Sequence, residues 1–182
     1  MSDLHNLVLI GFMGCGKTTF GKWVSQNASM PFYDTDEYIV RKQNREIIEI
    51  FATNGENFFR DLETETLKEM NEKFRNSVIS VGGGLPLREE NRELLKKLGI
   101  VIYLRATQDT LVKRLGNDTK RPLLVGSDIR SKIQELMIQR ESIYENAAQI
   151  IVDTDDRTFG QIYKEIEDAI LASKSILRRQ KI

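Results

Sequence analysis

The chain has 182 residues, of which 40% are hydrophobic and 30% are charged, and its 27 basic side chains balance its 27 acidic ones. This composition is typical of one globular domain, and the missing basic excess argues against a dedicated nucleic-acid-binding protein. No apolar run approaches the roughly 20 residues that cross a bilayer, and the start, MSDLHN, lacks the features of a signal peptide. We therefore expect a single cytoplasmic domain over residues 1–182, monomeric and without nucleic-acid or membrane partners.

Short apolar runs alternate with amphipathic stretches along the chain, which predicts strands alternating with helices. The predicted strands are Leu7–Ile10, Pro31–Tyr33, Val78–Val81, Ile100–Leu104 and Ile150–Val152. The predicted helices are Lys17–Asn27, Glu46–Thr53, Glu56–Phe74, Glu89–Lys97, Thr107–Leu115, Ser127–Tyr144 and Phe159–Ser173. Because the strands are almost continuously apolar, we expect a parallel sheet covered by helices on both faces. Ligands of such sheets bind at the carboxyl ends of the strands.

The first predicted strand is followed by the segment GFMGCGKTT, residues 11–19, which has the spacing of a P-loop. Its glycines allow successive backbone N–H groups to point at phosphate oxygens. Lys17 supplies positive charge at the β- and γ-phosphates, and the Thr18 hydroxyl can bind Mg²⁺. A glycine-rich turn without a ligand is the alternative. The strand before the motif and the helix after it favour nucleotide binding.

Two carboxylates follow the second predicted strand. Asp34 and Asp36 are separated by one residue, so both can face the phosphate-binding edge if the segment is extended. One would then hold Mg²⁺ through water, and the other would orient an acceptor hydroxyl or take its proton. The only histidine is His5, near the N-terminus, so Asp36 is the candidate base. The alternative is that this segment caps the start of a helix.

Further along, arginines and glycines suggest an acceptor site. Arg60 precedes Glu63 by three residues on one helical face, where the carboxylate can hold the guanidinium, although a solvated surface pair is the alternative. Residues 82–84 are three glycines, which suggest a ligand against bare backbone or else a plain loop. Residues 114–124 are basic and predict a flap that brings Arg121 over the transferring phosphate, or else a solvated loop. Arg140 could bind an acceptor or be a surface charge.

Together these motifs resemble those of shikimate kinases, from residue 6 to about residue 172. The resemblance is carried by the P-loop, Tyr33–Asp36, Phe59–Arg60 with Glu63, the triple glycine, Lys120–Leu124, and Arg140 with Tyr144. It implies an α/β fold, a three-layer P-loop NTPase sandwich with a five-stranded parallel sheet. It also implies an acceptor-binding segment at about 34–63 and a mobile lid at about 116–126. The implied activity transfers the ATP γ-phosphate to the 3-hydroxyl of shikimate, a step toward chorismate and the aromatic amino acids.

The resemblance also implies a role for each site residue. Catalysis would fall to Lys17, Asp36 and Arg121. The nucleotide would contact Gly14, Cys15, Gly16, Lys17, Thr18, Thr19, Arg114, Arg121 and Arg157. The acceptor would contact Asp36, Arg60, Gly82, Gly83 and Arg140, and Mg²⁺ would be held by Thr18 and, through water, by Asp34.

Two other functions remain open at this point. A kinase for another small metabolite, such as gluconate, would also need an arginine for the acceptor's carboxylate. A nucleotide-binding regulatory module without catalysis is the second alternative. The pair of aspartates argues against that module, because a sensor of ATP needs no carboxylate on the acceptor side.

Overall fold

The computed structural model describes residues 5–116 and 128–179, and the strands within them form one parallel sheet. The strands are β1 Asn6–Ile10, β2 Phe32–Asp34, β3 Val78–Ser80, β4 Gly99–Arg105 and β5 Ile150–Asp153. Their order across the sheet is β2-β3-β1-β4-β5. The central strand β1 is buried over its whole length, as expected for a strand covered on both faces.

Seven helices surround this sheet in the described part of the chain. They are α1 Lys17–Ala28, α2 Thr35–Gln43, α3 Ile47–Lys73, α4 Glu89–Leu98, α5 Gln108–Leu115, α6 Ile129–Ala147 and α7 Phe159–Arg179, with a 3₁₀ turn at Leu85–Leu87. Helix α1 packs on β1, β2 and β3 and against α7, whereas α4 packs on β1 and β4 and against α3 and α6. The predicted layered α/β fold is confirmed. None of the described helices is both long and apolar enough to cross a membrane.

The structure differs from the sequence prediction mainly at α2 and at the end of α7. Helix α2 was not predicted, because only Thr35 and Ile39 are buried in it and its apolar periodicity is weak. The two helices predicted on either side of Gly55 are confirmed as two helical segments of α3, which meet at a kink where that glycine has a non-helical φ of 81°. Helix α7 continues to Arg179, beyond the predicted end at Ser173.

Asn6 fixes the amino end of the sheet, opposite the P-loop. Its Nδ2 donates to the carbonyls of Phe74 (3.0 Å) and Leu98 (2.8 Å), and its Oδ1 accepts the amide of Ser77 (3.0 Å). These bonds hold the ends of α3 and α4 to the first residue of β1. Because the buried amide is fully paired, it costs little stability and sets the register of the neighbouring elements.

The buried apolar side chains form two clusters. The larger one covers the sheet, and the smaller one, made of Ile39, Ile50, Phe59 and Leu62, belongs to α2 and α3 alone. The segment predicted to bind the acceptor therefore has a small core of its own. An aromatic group lies near the P-loop helix, where Trp23 stacks on Phe20 at 6.4 Å between ring centroids and contacts Phe159 and Tyr163.

Candidate active site

The P-loop follows β1 and wraps around the start of α1. Gly11 has a φ of 142°, and a Cβ at this position would lie 2.6 Å from the carbonyl oxygen of Leu104 on β4. Gly16 precedes α1 with a φ of 103°. Both positions therefore require glycine, and the loop passes close to the sheet as the sequence motif predicts.

Lys17 lies folded back over this loop. Its side chain is buried, and Nζ donates to the carbonyl oxygens of Gly11 (2.8 Å) and Phe12 (3.0 Å), 3.8 Å from the sulfur of Cys15. On another side of the loop, Arg114 Nη1 donates to the carbonyls of Gly14 and Cys15, both at 3.2 Å. Two cations therefore lie against the backbone that would hold phosphate groups.

Thr18 and Asp34 form the pair expected for magnesium. The Thr18 hydroxyl donates to Asp34 Oδ2 at 3.0 Å, while Asp34 Oδ1 accepts the backbone N–H of Asp36 at 3.0 Å and so caps α2. The cap and the proposed Mg²⁺ role thus use different oxygens of one carboxylate. A hydroxyl and a single carboxylate suit Mg²⁺, which keeps water and phosphate oxygens as its other ligands.

Asp36 lies in the first turn of α2. This position corrects the prediction that Asp34 and Asp36 share an extended segment. The correction has a physical reason, since the oxygen of Asp34 stabilises the start of a helix at the end of β2. Asp36 nevertheless reaches the site, where it lines two adjoining cavities.

The larger cavity, of about 460 Å³, lies over the P-loop and the smaller one, of about 230 Å³, lies beside it. The larger is lined by the P-loop from Met13 to Thr19 and by Asp34, Arg114, Arg157 and Phe159, among others. The smaller is lined by Phe51, Glu56, Phe59, Arg60, Glu63 and Arg140, among others. Asp36, Gly82 and Gly83 line both, so the two cavities meet at this carboxylate and the glycine segment.

Arg60 is held between two carboxylates inside the smaller cavity. Nη1 donates to Glu63 Oε2 and Nη2 to Glu56 Oε1, both at 2.8 Å. Glu63 is fully buried, so this is not the solvated surface pair considered as an alternative. Burial raises the pKa of Glu63 to about 7, because the loss of hydration outweighs the opposing effect of the Arg60 charge.

The triple glycine makes room for the protein's own side chains. A Cβ at Gly82 would lie 2.7 Å from Asp36 Oδ1 and 3.0 Å from Glu63 Oε1, and a Cβ at Gly84 would overlap the guanidinium of Arg60. The N–H of Gly82 donates to the buried Thr35 hydroxyl at 3.0 Å. Sequence reasoning assigned the bare backbone to a ligand, whereas at Gly82 and Gly84 it accommodates carboxylates and an arginine.

Arg140 extends from α6 into the smaller cavity and is only 6% exposed, so it is not a surface charge. Within the part of the chain that the structure describes, its Nε is buried without a hydrogen-bond partner. Buried donors are nearly always paired, so this nitrogen indicates a site for an anionic ligand. Four residues later, the Tyr144 hydroxyl donates to the carbonyl of Gly83 at 2.6 Å.

Of two further predicted nucleotide contacts, the structure describes Arg157 but not Arg121. Arg157 lines the larger cavity, but its guanidinium is held by Glu165 at 2.6 Å and donates to the carbonyls of Asp153 and Gln161. Arg121 and the predicted lid beyond Gly116 lie outside the described residues. Sequence reasoning missed Thr35 and Glu56, since their contacts with Gly82 and Arg60 depend on the course of α2 and α3.

Comparison with known proteins decides between the candidate families. The family model described as "Shikimate kinase" matches residues 13–171. The chain belongs to the shikimate kinase family. A shikimate kinase of Dictyoglomus turgidum is 42% identical over 164 residues, covering 88% of this chain and 94% of that protein. The resemblance inferred from the motifs is therefore confirmed.

Solved structures agree with this assignment. Shikimate kinase from Acinetobacter baumannii in complex with shikimate is 34% identical, with a TM-score of 0.87 over 94% of this chain and 95% of that one. A gluconokinase from Sinorhizobium meliloti covers all of both chains, but with a TM-score of 0.57 and 15% identity. The similarity to the gluconokinase shows only a shared fold, so it does not support the alternative that this protein phosphorylates gluconate.

Proposed function

We propose that the protein is an ATP-dependent kinase that transfers the γ-phosphate to the 3-hydroxyl of shikimate, giving shikimate 3-phosphate on the route to chorismate and the aromatic amino acids. Membership of the shikimate kinase family supports both the reaction and the acceptor. The structural observation that carries the proposal is the position of Asp36. This carboxylate lies where a cavity over the P-loop joins a cavity with two arginines.

On the donor side, the backbone N–H groups from Gly14 to Thr19 and the positive end of α1 would bind the triphosphate. Lys17 would exchange its bonds to loop carbonyls for contacts with the β- and γ-phosphates. Mg²⁺, held by Thr18 and through water by Asp34, supplies positive charge at the phosphate oxygens when bound. Arg114, Arg157 and Cys15 would complete the nucleotide site at the edges of this cavity.

On the acceptor side, Arg60 and Arg140 would pair with the carboxylate of shikimate by charge-assisted hydrogen bonds. The rings of Phe51 and Phe59 line the same cavity and would contact the carbon ring of the acceptor. Asp36 would orient the reacting hydroxyl or take its proton, at the junction with the nucleotide cavity. Gly82 and Gly83 would form the wall against the other ring hydroxyls.

The remaining parts of the proposal concern the lid and the setting of the enzyme. Arg121, in the predicted lid at about 116–126, would add positive charge at the transferring phosphate, as an arginine finger does. We propose a monomer that acts in the cytoplasm with Mg²⁺ as cofactor. Its small-molecule partners are ATP and shikimate.

The proposal is tested by the release of ADP from ATP and Mg²⁺ in a coupled assay with shikimate, with gluconate and with no acceptor. We expect release to depend on shikimate and to be no faster with gluconate than without an acceptor. Release that depends on gluconate would instead identify the alternative metabolite kinase. Equal rates in all three mixtures would indicate a nucleotide-binding module without acceptor chemistry.

We expect Arg60→Ala and Arg140→Ala each to weaken shikimate binding by about 10- to 150-fold, since each removes charge-assisted bonds of roughly 1.5–3 kcal/mol. Calorimetric titration with shikimate measures this effect. Arg130→Ala is the matched control, because Arg130 also lies on α6 but pairs with Asp109 at the surface. Unchanged shikimate affinity in both cavity variants would mean that the acceptor site is elsewhere.

A further inference from the structure

The hydroxyl of Tyr144 connects helix α6 to the glycine segment at residues 82–84. Both of these elements contribute residues to the lining of the smaller cavity. Tyr144 is 1% exposed, and its Oη donates to the carbonyl oxygen of Gly83 at 2.6 Å. Arg140 lies one helical turn earlier on α6. Burial raises the pKa of Tyr144 to about 12, while the Arg140 guanidinium opposes this shift. Gly83 and Arg140 line the cavity, whereas Tyr144 packs in the core beneath them.

The three carbonyls of the glycine segment are held in different ways. Those of Gly82 and Gly84 accept the amides of Leu85 and Leu87, both at 3.1 Å, at the start of the 3₁₀ turn. The Gly83 carbonyl instead accepts the Tyr144 hydroxyl, which provides its hydrogen bond among the described residues. The orientation of this one peptide therefore depends on a side chain from a distant helix.

This dependence matters because glycines on both sides leave the peptide free to rotate. A Cβ at Gly83 would lie 3.4 Å from the Gly11 carbonyl, 3.6 Å from the Met13 amide and 3.7 Å from the Tyr144 hydroxyl. The peptide is thus placed between the P-loop and α6, at the junction of both cavities. A carbonyl oxygen that rotated into the smaller cavity would repel an acceptor carboxylate and compete with it for Arg140.

We propose that Tyr144 is a positioning residue for the acceptor, which holds the Gly83 carbonyl out of the carboxylate subsite that Arg140 lines. The inference rests on the proposed function, since it concerns how the acceptor's carboxylate is bound. Tyr144 is not among the described residues that line either cavity. Its effect on binding passes through Gly83.

A neighbouring tyrosine provides a matched control. Tyr103 on β4 is also buried, and its ring lies 5.3 Å from that of Tyr144 between centroids. Tyr103→Phe removes a hydroxyl from the same part of the core and leaves the bond to Gly83 in place. The two variants therefore separate the hydrogen bond from the general cost of losing a buried hydroxyl.

The experiment compares the full-length wild type, Tyr144→Phe and Tyr103→Phe in steady-state assays that vary shikimate and ATP separately. We expect Tyr144→Phe to raise the KM for shikimate by roughly 2- to 12-fold, as one lost hydrogen bond would, and to leave the KM for ATP unchanged. Tyr103→Phe should change neither KM. With shikimate methyl ester, which lacks the acceptor's charge, the difference between Tyr144→Phe and wild type should shrink.

Calorimetric titration with ADP shows in the same samples whether the nucleotide side is intact. If Tyr144→Phe weakens ADP binding as much as shikimate binding, or if Tyr103→Phe matches it, the residue is structural only and the inference fails. An unchanged KM for shikimate also overturns it. A wild-type protein that does not phosphorylate shikimate would contradict the proposed function itself, which is a separate and recognisable result.

Discussion

Lys17→Met is expected to reduce phosphoryl transfer by at least about 10²- to 10³-fold, the scale observed when one preorganised charged or polar contact to the transition state is removed. The variant keeps the length of the side chain but loses the ammonium that now bonds two loop carbonyls. Because Lys17 lies at the loop rather than in the apolar core, we expect the fold to stay intact, with a fall in the midpoint of thermal unfolding no larger than the loss of two loop hydrogen bonds causes. The shikimate-dependent rate of ADP release measures the loss.

Lys22→Met serves as the control for this variant. Lys22 lies on the same helix, α1, but its side chain is exposed and lies 3.8 Å from Glu37. Its replacement should leave the rate unchanged. A folded Lys17→Met protein that retains near-normal turnover would refute the assignment of the P-loop as the phosphate site.

Asp36→Asn is expected to lower kcat by about 10²- to 10⁴-fold, the range for general acid–base groups, with a much smaller effect on the KM for ATP. The asparagine keeps the size of the side chain and the backbone N–H that Asp34 accepts, so α2 should still begin normally. The negative charge at the junction of the cavities is lost. Initial rates with shikimate and ATP varied in turn separate kcat from each KM.

The control for the second variant is Glu37→Gln, which removes a carboxylate from the same first turn of α2 at an exposed position. Like Asp36→Asn, Glu37→Gln removes one negative charge at the start of α2, so both variants share any effect of that charge on the helix. If Glu37→Gln lowers kcat as much as Asp36→Asn does, the effect is electrostatic at long range. Asp36 would then not act on the reacting hydroxyl.

The sequence was most informative where structure depends on neighbours along the chain. The strand before Gly11 and the helix after Lys17 were predictable because a buried strand, a phosphate-binding turn and a helix start have local requirements. The break at Gly55 was also evident, since it separated the two predicted helices. The sequence predicted the capping role of Asp34 only as an alternative. The start of helix α2, which depends on that cap, was therefore not part of the main prediction.

Contacts between distant segments could not be read from sequence patterns. The Arg60 guanidinium fills the space at Gly84, and the Tyr144 hydroxyl holds Gly83, although these pairs are far apart in the chain. Such contacts depend on how α3 and α6 dock beside the carboxyl ends of the strands. The spacing of Arg140 and Tyr144 was the available signal for the second contact, because residues four apart share a helical face.

The aromatic group beside α1 contains an intrinsic fluorophore, Trp23. Trp23 is the single tryptophan of the chain, and its ring contacts Phe20 and Phe159, which both line the larger cavity over the P-loop. Neither of these two phenylalanines is among the described residues that line the smaller cavity. We therefore expect tryptophan fluorescence to respond more to a ligand in the larger cavity than to one in the smaller cavity, which would let the two binding events be followed separately without an attached dye.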